Sequence, residues 1–424
     1  MCGIIGYVGE ENCVPALLEG LRAREYRGYD SAGIAAAGAD GVRTDKARGR
    51  VDALCRRLER SPLAGRCGIG HTRWATHGAP SDENPHPHSA PSLTLVHNGI
   101  IENYAELKAV LLAEGASFVS DTDTEVAARW IDRCYAESGD PVRALFAAAE
   151  SLRGSYAFGV IFHDRPDRIF AIRRDSPLIL ARSERASLLA SDIPALLPYT
   201  RTVYRLPENA VAVLDGQGIR CYDGSGAEIP LPAETVAWDV EAAQKGGYPH
   251  FMLKEIFEEP EALRRTVEPN LRNGLPFFGV PHVDGGGLSG SGKLWIIGCG
   301  TAMHAGLYGK ALIERWARRS VEVDVASEFR YRDPVLSHDD TVILISQSGE
   351  TADTLAALRL AQERGVRTLS IVNAVGSTAA READDVIYTR AGPEIAVAST
   401  KAYIVQCAVL RLLAIRLALS AGRM

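Results

Sequence analysis

The 424-residue sequence has no basic block and no interleaving of aromatic with basic residues, which removes the usual footprint of a nucleic-acid-binding protein. It has no uninterrupted run of about 18 apolar residues, the length that crossing a bilayer demands. The opening residues lack a positively charged segment leading into an apolar core, so a secretory signal is not expected. The eight cysteines are scattered, with no C-x-x-C pair and no compact framework spacing, so reduced thiols in a cytoplasm are the expectation. Charge of a single sign is missing too: 47 Lys and Arg against 53 Asp and Glu leave a net −6. What remains is an ordinary globular composition on a chain too long for one hydrophobic core, and two or three domains are expected.

Against that background the first residues stand out. Met1-Cys2-Gly3-Ile4-Ile5-Gly6 places a cysteine directly after the initiator, and removal of Met1 leaves a free α-amino group on Cys2. An α-amine of pKa about 7.7–8.0 beside a thiol of about 8.5 gives this nucleophile its own candidate base. For Cys2 alone the plainer reading, a small buried residue opening an edge strand, is the better one. The rest of the chain reverses it.

Residues 2 to about 215 alternate short strands and turns with interposed helices, a mixed α and β domain rich in antiparallel strands. The spacing predicts a strand at 3–8 and a helix at 14–24 with Leu17, Leu18 and Leu21 on one face. Further strands are expected at 93–97 and 155–162, and a helix at 124–135. From 219 to about 292 the periodicity fades while Gly and Pro gather, which reads as a linker with one helical piece at 254–268. The domains expected are therefore 2–218 and 286–424, joined by 219–285. From Lys293 the pattern becomes apolar strand, loop, helix: strands at 294–297, 341–345 and 366–372, helices ending near Arg318 and Arg364, and a closing helix at 399–419. Such alternation predicts a parallel sheet covered on both faces.

Four clusters carry chemistry in the first domain. The loop His71-Thr72-Arg73-Trp74-Ala75-Thr76-His77-Gly78 gathers a guanidinium, an indole and two hydroxyls, and Arg suits two-pronged capture of a carboxylate. His97-Asn98-Gly99 sets an amide beside a backbone N–H, a pair of donors for a developing oxyanion, though Asn-Gly is also a common turn. Ser120-Asp121-Thr122-Asp123-Thr124-Glu125 reads as a helix cap with acidic first-turn residues, one of which is placed to face a ligand ammonium. Glu25 to Gly33 reads as structural support.

Together these residues resemble the class II glutamine amidotransferases, a branch of the N-terminal nucleophile (Ntn) hydrolases, over residues 2 to 218. The resemblance implies an αββα sandwich in which Cys2 attacks the side-chain amide of glutamine and its own amine shuttles the proton. It implies that Asn98 and Gly99 hold the oxyanion, that Arg73 binds the α-carboxylate and Asp123 the α-ammonium, that Thr76 and His77 line the pocket, and that Trp74 guards the route taken by ammonia.

In the second half, Ser346-Gln347-Ser348-Gly349-Glu350-Thr351 closes a strand and opens a helix. Hydroxyls, amide N–H groups and the positive end of the helix dipole converge there, which suits a phosphate monoester as well as it suits a plain serine-rich cap. Gly300-Thr301 supplies a second wall. With Ala326 to Arg332, Val397 to Ala402 and Met252 to Ile256, this region resembles the sugar isomerase (SIS) domain, a three-layer α/β fold. The version is that of the isomerising glutamine–fructose-6-phosphate aminotransferases. The resemblance implies that Thr301, Ser346, Gln347, Ser348 and Thr351 hold the phosphate and hydroxyls of fructose 6-phosphate, with Val397 and Ser399 nearby. The implied product is glucosamine 6-phosphate, an amino-sugar precursor, and the implied assembly is a homodimer without metal, redox cofactor, nucleic acid or membrane. Ala302 departs from the family, which has Ser there. The family carries two such domains in tandem and this chain ends at Met424 after one. Ammonia release from glutamine, weak sugar-phosphate binding and little aminated sugar are therefore expected from it.

Other signals are set aside. Gly287 to Lys293 fits G-x-x-x-x-G-K, but Leu294 stands where a Mg²⁺-binding hydroxyl belongs and the segment precedes its strand. Gly298-Cys299-Gly300 begins like a dinucleotide fingerprint that Met303 breaks. His86-Pro87-His88 is read as a loop whose histidines bond backbone groups, and Cys299 and Cys407 as packed thiols. The competing class is a sugar-phosphate-responsive binding protein whose glutaminase half is a relic. A phosphoribosyl acceptor or an aspartate-activating synthetase would each need a loop that is absent.

Overall fold

The structure, a computed structural model, describes residues 3–22, 30–73, 81, 83–236, 246–290 and 292–424. The chain divides into two compact units, 1–240 and 241–424.

The first unit is built from two antiparallel sheets. One runs from the Ala233–Thr235 strand to Gly41–Arg48, with Gly3–Gly9 and Cys67–Arg73 adjacent near its middle. The other runs from Glu228–Ile229 to His88–Ala90, with Leu93–Ile101 paired to Gly154–Phe162. Ile4, Val8, Ile69, Val96, Ile161 and Leu189 fill the space between the sheets. Helices Cys13–Arg22 and Val51–Arg60 cover the outer face of the first sheet through Leu17, Leu21, Leu54 and Leu58. Helices Tyr104–Ala113, Asp123–Ser138 and Pro141–Ser151 cover the second through Leu107, Val126, Ile131 and Leu145. Four layers result, helix, sheet, sheet, helix. Each fully buried aliphatic side chain among them contributes about 1.5–3 kcal/mol of transfer free energy, and the alternation of inner and outer faces follows from the period-two pleat.

Ser31–Gly38, Ser-Ala-Gly-Ile-Ala-Ala-Ala-Gly, is a fully paired strand despite its alanines. Alanine is a poor strand former in isolation, and burial between neighbouring strands overrides that preference here.

Of residues 219–285, expected as a linker, the described ones (219–236 and 246–285) include strands and helices. Ile219–Tyr222 and Glu228–Ile229 extend the second sheet and Ala233–Thr235 extends the first. Helices Phe251–Phe257 and Glu259–Val267 belong to the second unit, where Glu259–Val267 packs on the closing helix. The Gly and Pro content that suggested a linker comes from the tight turns between these short elements.

The second unit is a five-stranded parallel sheet in the order Val321–Val325, Leu294–Gly298, Thr341–Ser346, Arg367–Val372, Asp385–Tyr388. Helices Thr301–Trp316 and Lys401–Ser420 bury one face through Ile313, Val409, Leu410 and Leu413. Ala352–Glu363 and its neighbours bury the other through Leu355, Leu358 and Ala361. By length and composition Lys401–Ser420 is apolar enough to cross a membrane, yet over half of it is buried inside this unit, as a core helix is. The strand order reverses between Leu294–Gly298 and Thr341–Ser346, whose following helices lie on opposite faces. Chain ends splay apart at such a switch and leave a crevice beyond the carboxyl ends of the strands.

Candidate active site

In the first unit the described site residues gather at one end of the sandwich. Gly3, covalently next to Cys2, pairs with Thr72, and Arg73 closes the same strand, 4% exposed. Asn98 and Gly99 lie opposite Ala157 and Tyr156 near the end of Leu93–Ile101. A hydrogen bond of 3.0 Å between His71 Nε2 and Asn98 Oδ1 ties the first sheet to the second. Asp123 is the first residue of its helix, and its Oδ2 accepts the Ile101 N–H at 2.9 Å, locking helix to strand. Cys2, Trp74, Thr76 and His77 lie outside the described residues.

The acidic loop is both cap and scaffold. Thr122 Oγ1 accepts the Glu125 N–H at 3.2 Å, a helix cap of the kind that contributes about 1 kcal/mol. The buried Glu125 carboxylate in turn accepts the N–H groups of Val119 and Ser120, so the turn that presents Asp123 is closed from both sides. Lys46 donates to the Glu83 carbonyl at 3.3 Å, and burial pushes its amine down to about 8 although Glu125 and Glu83 pull it back up.

Behind these residues lie four buried histidines, a feature the sequence reading missed. His71 stacks on His86 at 4.0 Å, and His86 meets His88 edge-on at 5.0 Å. The His97 N–H donates to His86 Nδ1 at 3.4 Å. His88 Nε2 and Thr122 Oγ1 are 3.1 Å apart, as are His97 Nδ1 and Thr124 Oγ1 at 2.9 Å. His86 thus meets a backbone group as expected, whereas His88 also reaches a side chain. Burial drives His71 down to about 3 and holds His86 and His88 well below the ordinary imidazole range, and the nearby Arg73 charge pushes the same way. Among the described residues no group of His, Cys, Asp and Glu has the arrangement of a metal centre.

In the second unit the crevice at the switch point receives both predicted walls. Gly300 caps the Thr301–Trp316 helix, leaving Thr301 exposed at its start and Ala302 buried behind it. Across from it, Ser346 Oγ accepts the Gly349 N–H at 3.0 Å and lies 3.2 Å from Thr351 Oγ1, while Ser348 Oγ accepts the Glu350 N–H at 3.1 Å. This winds the loop so that Thr351 caps Ala352–Glu363, a helix N-terminus carrying partial positive charge. Gly349 has φ +65°, and a Cβ there would fall 2.1 Å from Ser377 Oγ. The Gln347 carbonyl accepts the N–H groups of Asn373 and Ala374, and Asn373 Nδ2 donates to the Gly392 carbonyl at 2.8 Å. Asn373 therefore ties the Ser346–Thr351 loop to the connection bearing Val397 and Ser399. Val397 is exposed, and the Ser399 hydroxyl donates to Glu394 at 2.8 Å. Glu394 also accepts the N–H groups of Thr400 and Ala402 at the head of the closing helix. Asn373 and Glu394 were not foreseen; a polar residue directly after a buried apolar strand was the available signal for the first.

A four-layer antiparallel sandwich with this donor cluster, followed by a parallel unit with a hydroxyl-lined loop at its switch point, defines a glutamine amidotransferase joined to a sugar isomerase domain. Residues 60–217 match the glutamine amidotransferase domain family and residues 287–416 the SIS domain family. The isomerising glutamine–fructose-6-phosphate aminotransferase of Clostridium tetani is 48% identical over 425 residues, covering 100% of this chain and 70% of that one. The enzyme of the same name from Caldanaerobacter subterraneus is 50% identical over 430 residues with the same coverage. Among solved structures, the C-terminal domain of glucosamine-fructose-6-phosphate aminotransferase from Francisella tularensis is 38% identical at TM-score 0.41, covering 43% of this chain and 51% of that one. The chain belongs to the isomerising glutamine–fructose-6-phosphate aminotransferase family.

Proposed function

We propose that the chain hydrolyses L-glutamine at Cys2 and passes the ammonia to D-fructose 6-phosphate, giving D-glucosamine 6-phosphate. Family membership supports the reaction. The observation that carries the residue assignment is the Asn98–Gly99 pair, held at the strand end by His71 and beside the helix that starts at Asp123. The Cys2 thiolate adds to the amide carbon, and the carbonyl electron pair moves onto oxygen, where the Asn98 amide and the Gly99 N–H receive it. The α-amine of Cys2, having taken the thiol proton, returns it to the departing nitrogen, and the C–N bond breaks to leave a thioester and ammonia. Water then cleaves the thioester to glutamate. Arg73 binds the α-carboxylate and Asp123 the α-ammonium. Thr76 and His77 line the pocket, and Trp74 guards the ammonia route. These steps fall to residues 2–218 and the sugar chemistry to residues 286–424.

Thr301, Ser346, Gln347, Ser348 and Thr351 take the sugar phosphate, with Val397 and Ser399 on the adjoining connection. A helix N-terminus and three hydroxyl-bearing residues in one loop support this assignment. A cytoplasmic location suits a catalytic thiol that must stay reduced, and a homodimer is the assembly we assign from the family resemblance.

The test is a mass balance on glutamine with and without fructose 6-phosphate, following glutamate, ammonia and amino sugar separately, together with labelling of Cys2 by a glutamine-like electrophile. Glutamate released no faster than without protein, or label on another residue, overturns the reading. For the sugar site, Ser346→Ala removes the hydroxyl that braces Gly349 and Thr351. Calorimetric titration should show about tenfold weaker binding of fructose 6-phosphate, the equivalent of about 1.4 kcal/mol. Unchanged affinity removes Ser346 from the site.

A further inference from the structure

We propose that Glu255 is a positioning residue for recognition of the sugar: its buried carboxylate fixes the connection that carries Val397 and Ser399 beside the Ser346–Thr351 loop. The inference rests on the sugar site proposed above and gives a role to the string Met252 to Ile256, which that function leaves unused.

Between the strand Asp385–Tyr388 and the helix Lys401–Ser420 the chain has no regular structure, so its backbone N–H groups need partners from elsewhere. Three polar side chains supply partners. Asn373 Oδ1 accepts the Ala391 N–H at 2.7 Å, and Glu394 accepts that of Thr400 at 2.9 Å. Glu255 accepts the N–H groups of both Ile395 and Ala396, the second at 3.1 Å. Asn373 follows the adjacent strand and Glu394 belongs to the connection itself. Glu255 instead arrives from 140 residues earlier, on the helix Phe251–Phe257, and grips the two residues directly before Val397.

Glu255 is only 2% exposed. Burying a carboxylate is costly unless it is hydrogen-bonded, and an apolar side chain would fill the space without that cost. What the carboxylate adds is direction. Two N–H groups converging on one oxygen fix the orientation of two successive peptide groups, with Ile395 buried and Val397 exposed. Three residues further on, Glu258 pairs at 2.6 Å with the buried Lys401, the first residue of the closing helix. A cation there faces the positive end of the helix dipole and needs that compensation. Glu255 and Glu258 thus hold the two ends of the stretch that bears Val397 and Ser399.

The Ser346–Thr351 loop is braced separately, by its own hydroxyls and by Asn373. Loss of Glu255 should therefore impair recognition of the sugar and spare recognition of the phosphate. Calorimetric titration with fructose 6-phosphate and with glycerol 3-phosphate, which presents the phosphate on a short polyol, reads the two separately. Glu255→Ala should weaken fructose 6-phosphate binding about tenfold and change glycerol 3-phosphate binding by less than about twofold. Glu255→Gln keeps an accepting oxygen of the same reach and should bind fructose 6-phosphate within about threefold of the parent. Equal losses for the two ligands mark a general loosening of the fold and overturn the inference, as do equal losses of fructose 6-phosphate affinity in the two variants. If Glu255→Ala does not fold, as thermal melting will show, Glu255→Asp, which draws the carboxylate back by a methylene, carries the same comparison of ligands. A parent protein that binds fructose 6-phosphate no more tightly than glycerol 3-phosphate overturns the assignment of Val397 and Ser399 proposed above, and this inference with it. A parent that prefers fructose 6-phosphate, with Glu255→Ala unimpaired, overturns this inference alone.

Discussion

Gly99→Ala is expected to abolish measurable glutamine hydrolysis while leaving fructose 6-phosphate binding at the second unit within about twofold. The backbone at Gly99 has φ +125°, a conformation that side-chain-bearing residues rarely adopt. A Cβ added there would fall 2.0 Å from the Ser155 carbonyl oxygen, which is backbone of the partner strand and cannot rotate away. The strand must shift, and the shift moves Asn98 and the Gly99 N–H together. Losing one oxyanion donor costs about 10²–10³ in rate, so displacement of both should cost at least about 10³. The strain and the disturbed pairing should lower stability by about 3 kcal/mol or more. Steady-state assay and urea unfolding measure the two effects separately. Activity within tenfold of the parent would remove the Asn98–Gly99 pair from the mechanism.

The first unit should also lose stability steeply as the pH falls from 7.5 to 5, before most carboxylates titrate. His71, His86 and His88 are buried and neutral in the folded chain, with pKa values depressed below the ordinary 6.5. In the unfolded chain each takes up a proton near pH 6.5. Between the folded and unfolded values the unfolded state holds more protons, so the stability of folding is full above about pH 6.5 and falls as acid is added. His71 alone, with its value near 3, accounts for about 2 kcal/mol between pH 6.5 and 5. His86 and His88 act in the same direction. Urea midpoints read by hydrogen exchange of peptides covering Cys67–Arg73 and Leu93–Ile101 report on this unit within the whole protein. The expected slope is about three protons taken up on unfolding, and His86→Phe, which keeps a ring in the stack, should reduce it by about one. A midpoint that does not move between the two pH values would falsify the account, as would an unchanged slope in the variant.

Much of the fold was legible in the residue pattern because the long elements carry strong periodicity. The helix expected at 14–24 is Cys13–Arg22, with Leu17 and Leu21 buried and Leu18 packed at their edge. The strands expected at 294–297 and 341–345 and the closing helix at 399–419 are found within two residues at each end. Within the second unit's parallel sheet, the two strands not foreseen are the ones at its edges. Val321–Val325 alternates apolar with acidic residues and Asp385–Tyr388 spans only four residues, too little for a pattern to register. The stretch 219–285 misled for a related reason: its elements are so short that turn residues dominate the composition.

The sequence by itself pointed to the residues proposed to carry the chemistry. A donor pair, an arginine, an acidic helix cap and a hydroxyl-rich loop each announce their chemistry locally, through residue type and immediate neighbours. Tertiary structure alone decided how those groups are held. The His71–Asn98 bond joins two sheets across 27 residues of chain. The histidine cluster draws His71, His86, His88 and His97 from the strands Cys67–Arg73, His88–Ala90 and Leu93–Ile101 and the loop between. Asn373 spans from one strand-end loop to another. Orientation and protonation depend on what surrounds a group in space, and sequence spacing carries little of that once partners come from different sheets and loops.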